Sequence, residues 1–215
     1  LEETQTHYLR YLYATIDWES KGHDYQQVTS EELRRLSFMQ HPQQVLAVMK
    51  QPPEQSDVAV LSNRLTIALD GVQDPGNMGM ILRTADAFGI DAVLCCKCCD
   101  TLSPKVVRAT MGAIFRLPVF QAPPAQQLSL FLREKGIRSY AAVLHRDARP
   151  VTQCRIGKGS AVWIGNEGSG LTEEAVSVCE EKIIIPMPGH AESLNAAMAA
   201  GILMWEMMQE EGQTV

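Results

Sequence analysis

The sequence predicts an α/β protein built on a mostly parallel six-stranded sheet with helices on both faces. From residue 65 onward, short runs rich in Val, Ile and Leu alternate with segments of helical character. The helical segments close on glycines, at Gly89, Gly112 and Gly136. The strand runs are nearly continuous in apolar residues, the pattern of strands covered on both faces.

In chain order, residues 1–56 read as a separate short unit. Residues 7–15 form a strand rich in Tyr and Leu, 30–36 a capped helix and 45–49 a second strand, before the Pro-rich segment 51–56 breaks the pattern as a linker. A unit of this size is marginal as an independent domain. The second unit, 57–215, begins with strand 65–69 and helix 78–88, followed by strand 91–95 and helix 103–111. Strand 117–120, helix 125–134 and strand 139–144 come next, then a polar loop, strand 161–164 and helix 172–179. Strand 183–185 leads through a Pro/Gly loop to the last helix, with Ser193 read as its N-cap. Residues 196–205 are apolar around the whole circumference, which predicts burial on most sides. Asn195, in the first turn, either helps cap the helix or holds a defined polar partner.

Composition narrows the function classes. The chain has 215 residues, 46% of them hydrophobic, and a net charge of -6, so any RNA contact needs a local basic patch rather than a global field. The longest wholly apolar run, 196–205, is too short to span a bilayer, and no signal-peptide pattern opens the chain. It starts at Leu1, the expectation for a processed or truncated chain. Four of six cysteines crowd into Cys95-Cys96-Lys97-Cys98-Cys99 at a strand end, neither a spaced disulfide framework nor paired zinc spacing. They read as buried or half-buried thiols in a reducing, cytoplasmic setting, with no metal.

Open parallel sheets bind ligands beyond the carboxyl ends of their strands, so the loops there carry the functional argument. The first, 70–77, contains neither GxGxxG nor a Walker A sequence. Asn77 reads as the N-cap of the following helix, and Arg83, beside the stripe Ile81, Leu82, Ala85 and Phe88, is either a structural ion-pair partner or an anion-binding group. The second, Gly165-Asn166-Glu167-Gly168-Ser169-Gly170-Leu171-Thr172, sets one carboxylate among three glycines before a helix-capping threonine. The third is the loop 186–195.

Together these loops resemble the three motifs of the SpoU/TrmH branch of the SPOUT RNA methyltransferases. They read D-x-x-x-D-P-x-N-x-G-x-I-x-R-T-A-x-A-F-G from Asp70 to Gly89, G-N-E-G-x-G-L from Gly165 to Leu171, and I-P-M-x-G-x-x-x-S-L-N from Ile185 to Asn195. The match spans residues 65–210, and Ala197 stands where many relatives carry a second serine. The resemblance implies a C-terminal trefoil knot, a homodimer, and S-adenosylmethionine bound by the knot loops without a metal. It places the cofactor against Gly165, Ile185 and Leu194, with Leu144 a further contact, and the catalytic groups at Asn77, Arg83, Glu167, Ser193 and Asn195. Lys105 and Arg108, in the stretch 103–113, become RNA phosphate contacts. Residues 7–50 resemble the C-terminal half of a ribosomal-protein-like RNA-binding domain.

The implied reaction is methyl transfer to a ribose 2'-hydroxyl of structured RNA, rRNA before tRNA. A non-catalytic RNA-binding homologue acting in assembly is the alternative. Arg83 holds its proton too tightly to act as a base, so its expected role is to stabilise oxyanion charge, with Glu167 or an RNA phosphate accepting the proton.

Overall fold

The computed structural model describes residues 8–16, 22–37, 39–52 and 61–210. The chain divides into two compact units, residues 1–53 and 54–215. His7 of the first expected strand and positions 53–56 of the expected linker lie outside the described residues.

The first unit contains β1 (Leu9–Ala14), β2 (Gln26–Gln27), α1 (Ser30–Ser37) and β3 (Val45–Met49). Its sheet has the order β2-β1-β3, with β1 antiparallel to β3 and parallel to the two-residue β2. The alternation of a half-buried strand is visible in β1, where Leu12 and Ala14 are buried and Tyr11 is exposed. A reciprocal capping box opens α1: Thr29 Oγ1 accepts from the Glu32 N–H at 3.2 Å, and the Glu32 carboxylate accepts from the Thr29 N–H at 2.8 Å.

The second unit contains β4 (Leu65–Asp70), α2 (Pro75–Ala87), β5 (Ala92–Cys96), α3 (Pro104–Ala109), β6 (Val119–Ala122), α4 (Ala125–Glu134), β7 (Arg138–Ala142), β8 (Arg149–Pro150), β9 (Ser160–Gly165), α5 (Glu173–Val178), β10 (Glu181–Ile184) and α6 (Ala196–Glu210). The sheet has seven strands in the order β6-β5-β4-β9-β7-β10-β8, and each pairing is parallel. This corrects the expected six. The added strand, β8, contributes only Arg149 and Pro150 at the edge beside Ile183 and Ile184, too short to carry a period in the sequence.

Successive strand residues feed two cores. Ile67, Leu69, Val93, Cys95, Val162 and Ile164 pack with Ile81 and Leu82 of α2, Val106 of α3 and Ala200, Leu203 and Met204 of α6. Ala68, Leu94, Cys96, Phe120 and Trp163 pack with Leu128 and Leu132 of α4 and Ala175 of α5. Helices therefore cover both faces, and central β4 and β9 are buried throughout their length.

Helices α2 and α6 run side by side in the same direction. Their contacts keep an almost constant offset along the chain: Asn77 meets Asn195, Thr84 lies beside Gly201, and the rings of Phe88 and Trp205 are 5.7 Å apart. One face of α6 stays open, with Met198 55% and Trp205 45% exposed, so burial is less complete than its all-round apolar sequence predicts.

Where α2 crosses α3, a Cβ built at Gly79 would fall 2.2 Å from the Ala109 Cβ and 3.2 Å from its backbone. Gly79→Ala is therefore expected to destabilise the second unit by about 1–3 kcal/mol through overpacking. Urea unfolding checks this.

Candidate active site

The loops after β4, β9 and β10 leave the same, carboxyl end of the sheet, because the strands are parallel: Asp70 at the end of β4 is paired with Gly165 at the end of β9, and β10 lies two strands beyond β9 with β7 between them. A cavity of about 490 Å³ opens among them. Its walls include Leu144 after β7, the loop from Gly165 to Leu171, and Ile185, Ser193 and Leu194 after β10. Ala196, Ala199 and Leu203 of α6 also line it. The surface is mostly apolar, with polar groups concentrated at the Gly165 loop, Glu192 and Ser193.

The Gly165 loop is a tight reversal. Asn166 and Gly170 exchange backbone hydrogen bonds at 2.9 and 3.0 Å, and the Asn166 side-chain oxygen accepts from the N–H groups of Gly168 and Ser169. The chain then passes so close to Gly165 that a Cβ there would lie 2.1 Å from the Gly170 carbonyl carbon and the Leu171 nitrogen. Asp70, 3% exposed, fixes the end of the loop by accepting from the Thr172 hydroxyl at 2.6 Å and its N–H at 3.1 Å. Thr172 in turn caps α5.

Glu167 ties the first two loops together. Its carboxylate accepts from the N–H groups of Gln73 at 3.3 Å and Asp74 at 3.1 Å, from the Asn77 side-chain amide at 3.0 Å and from that of Asn166 at 3.3 Å. Burial acts to raise its pKa, but the bonds from Asn77 and from backbone N–H groups outweigh burial and hold it below the usual glutamate range. The third loop joins through Asn77, whose side-chain oxygen accepts from the Asn195 amide at 2.9 Å.

Two caps differ from the sequence reading. Helix α2 starts earlier, with Pro75 in its first turn and Asp74 as its N-cap, accepting from the Asn77 N–H at 2.8 Å. Asn77 is thus released to bridge Glu167 and Asn195. Helix α6 is capped by Asn195, which accepts from the N–H groups of Ala197 and Met198, whereas Ser193 faces the cavity. Both alternatives for Asn195 hold at once: its oxygen caps and its amide has a partner.

The expected site residues accordingly fall into groups. Leu144, Gly165, Ile185 and Leu194 line the cavity, as do Glu167 and Ser193. Asn77 and Asn195 extend from Glu167 by hydrogen bonds. Arg83 stands apart: it is exposed on α2, does not line the cavity, and has no ion pair among the described residues. Lys105 and Arg108 are exposed on α3. Asp70 and Asn166 stand in the motifs without a site role, yet they set the loop geometry; a polar residue at a strand's carboxyl end is the available signal.

The model of the SpoU rRNA Methylase family matches residues 64–205. The chain belongs to this family. Among curated relatives, the 23S rRNA (guanosine(2553)-2'-O)-methyltransferase RlmP of Bacillus subtilis is 34% identical over 167 residues, 77% of this chain and 65% of that protein. The uncharacterized tRNA/rRNA methyltransferase slr1673 of Synechocystis is 30% identical over 191 residues, 86% of this chain and 67% of that one. The chain thus spans about two thirds of the length of these curated relatives. Among solved structures, the AdoMet-bound rRNA methyltransferase of Sinorhizobium meliloti has a TM-score of 0.81 at 26% identity, over 96% of this chain and 81% of that one. The SpoU methyltransferase AviRb of Streptomyces viridochromogenes has a TM-score of 0.80 at 27% identity, over 96% and 84%.

Glu167 gives a pH signature. A carboxylate whose folded pKa is lowered contributes stability that is fully present above the ordinary glutamate range and is lost as pH falls through the lowered value. Glu167→Gln should lower the thermal midpoint at pH 7, and the gap from the parent chain should close on acidification. A gap independent of pH would show that the loops do not hold the carboxylate charge.

Proposed function

We propose that this chain transfers a methyl group from S-adenosylmethionine to a ribose 2'-hydroxyl of structured RNA, with rRNA favoured over tRNA. The observation that carries the reading is a cavity lined by all four positions expected to hold the cofactor and joined through Glu167 to Asn77 and Asn195. The RNA 2'-O specificity in the name of RlmP and the AdoMet-bound state of the Sinorhizobium meliloti structure support it.

The residues fit that cofactor. The Gly165 loop offers backbone at close quarters because Gly165 has no room for a side chain, while Leu144, Ile185 and Leu194 give apolar walls for a nucleoside. When bound, S-adenosylmethionine supplies an electrophilic methyl group on a sulfonium. The chain needs to orient the ribose, exclude water and stabilise the oxygen as it loses its proton. Glu167 accepts hydrogen bonds from four donors and its pKa is lowered, which makes it an anchor for Asn77 rather than a base. The proton then passes to an RNA phosphate. Ser193 and Asn195 position the ribose at the third loop, and Arg83 stabilises the developing oxyanion.

A homodimer accounts for Arg83. On α2 and α6, Met80, Met198 and Trp205 are 52%, 55% and 45% exposed, and Arg83 is exposed on the same helix as Met80. Covering this face with a second copy buries the apolar side chains and brings Arg83 into a shared site. A C-terminal trefoil knot belongs to the same reading and is supported by the strand order, in which the chain leaves central β9 and returns beyond β7 as β10. Lys105 and Arg108 serve as RNA phosphate contacts, and residues 1–56 as part of a substrate-binding domain. Six free cysteines support a cytoplasmic setting.

The test is incorporation of labelled methyl from S-adenosylmethionine into unmodified RNA, followed by nucleoside analysis. A 2'-O-methylated nucleoside is expected. Arg83→Ala should lower its rate of formation by about 100-fold or more while leaving cofactor binding unchanged in calorimetry, and Arg83→Lys should not restore it. Cofactor and RNA binding without incorporation would establish a non-catalytic RNA-binding protein, and a base-methylated product would overturn the ribose assignment. For the dimer, light scattering should give twice the chain mass for the parent and a monomer for Met198→Glu.

A further inference from the structure

The end of β5 and the loop after it carry thiols that methyl transfer does not use. Cys95 and Cys96 are buried, and Cys98 and Cys99 half-buried. Consecutive strand residues point to opposite faces, so Cys95 lies in the core beneath α2 and α6 whereas Cys96 lies in the other. Lys97 then takes a left-handed conformation, φ 50°, and Cys98 packs against the same core as Cys95. The pairing Cys95-x-x-Cys98 is thereby on one side of the sheet, and Cys96-x-x-Cys99 is split across it.

Cys95 and Cys98 flank the turn at Lys97 on that one core, and their thiols perturb each other's titration. The Cys98 thiol itself reaches the carbonyl oxygens of Cys96 at 3.3 Å and Leu69 at 3.5 Å. This loop is laced to the one that holds Glu167: the Gly71 N–H bonds the Cys96 carbonyl at 2.9 Å, the Cys99 N–H the Val72 carbonyl at 2.9 Å, and the Gln73 amide the Lys97 carbonyl at 2.6 Å. The next two N–H groups along, of Gln73 and Asp74, bond Glu167.

We propose that Cys98 and Cys95 form a reversible redox pair, oxidised by hydrogen peroxide to a disulfide that disturbs the loop holding Glu167. The Cys98 thiolate attacks one peroxide oxygen, the O–O bond breaks, and hydroxide leaves and is protonated to water. The sulfur becomes a sulfenic acid as the peroxide is reduced. The Cys95 sulfur then attacks Cys98, its proton leaving with the sulfenic oxygen as a second water. Interaction with Cys95 pulls the Cys98 pKa below the usual thiol range against the effect of burial, while interaction with Cys98 and burial push Cys95 well up. Cys98 is half-buried whereas Cys95 is 1% exposed, so peroxide meets Cys98 first, which makes Cys98 the attacking thiol and Cys95 the resolving one. Drawing the sulfurs to about 2.05 Å removes Cys98 from the Leu69 and Cys96 carbonyls and moves the segment bonded to Val72 and Gln73. The effect on Glu167 rests on the methyl-transfer reading; the thiol chemistry does not.

Trypsin cuts after Lys97, between the two cysteines, so the disulfide joins fragments 84–97 and 98–105. After peroxide treatment and alkylation of free thiols, tandem mass spectrometry should find these fragments joined through Cys95 and Cys98, with the bond absent from Cys98→Ser. Methyl incorporation should fall about tenfold or more and return with dithiothreitol. Cys98→Ser should keep its basal rate and lose its sensitivity to peroxide. Separate fragments, or a bond through Cys96 or Cys99, would overturn the pair. A mapped Cys95–Cys98 bond with undiminished incorporation would overturn the link to Glu167. A chain that transfers no methyl group in any state yet forms the bond would support the pair and overturn the functional reading.

Discussion

The loops around the second unit's cavity depend on one carboxylate that gathers them. Glu167 collects donors from the loop after β4, from Asn77 on α2 and from its own loop, and Asn77 passes the connection to Asn195 at the start of α6. Each bond on its own is worth only about a kcal/mol or so. Their value is geometric, since segments separated by tens of residues in sequence are held in one arrangement beside the cavity. An anion at this point also lies next to the N-terminus of α2, where the helix dipole favours negative charge.

Around that anchor, small residues and glycines set how closely the parts approach. Gly165 allows its own loop to fold back over it, Gly79 lets α2 meet α3, and Gly201 lies beside Thr84 where α2 and α6 run in parallel. The cavity itself is bounded by the backbone of the Gly165 loop and by apolar side chains such as Leu144, Ile185 and Leu194. Asp70 does the corresponding work below the loop, where its buried carboxylate takes both donors of Thr172. The same end of the sheet carries the cysteine loop, so that thiols and cavity share one hydrogen-bonded framework.

Most of this was legible in the sequence wherever a local rule applied. The alternation of strands and helices, the apolar central strands and the glycine-ended helices all follow from periodicity and propensity, and the structure places them within a few residues of expectation. The cavity-lining group Leu144, Gly165, Ile185 and Leu194 was reached through motif resemblance, and all four line one space. What was misread had weak or competing local signals. Strand β8 has two residues. Ser193 and Asn77 both have good capping chemistry, but Asn195 and Asp74 sit one position before the first helical turn and take the bonds instead.

The α/β class, the places where strands give way to loops, and the residue types available at those loops all follow from local sequence. These are properties of a few neighbouring residues, and steric and hydrophobic preferences settle them locally. Which polar groups meet is set by the packing of strands and helices. That Glu167 serves as an anchor, that Asn195 caps a helix and bonds Asn77 at once, that Cys95 and Cys98 share a face, and that Arg83 is left exposed are all consequences of sheet order and helix packing. Those contacts join residues far apart in the chain, and no local preference encodes them.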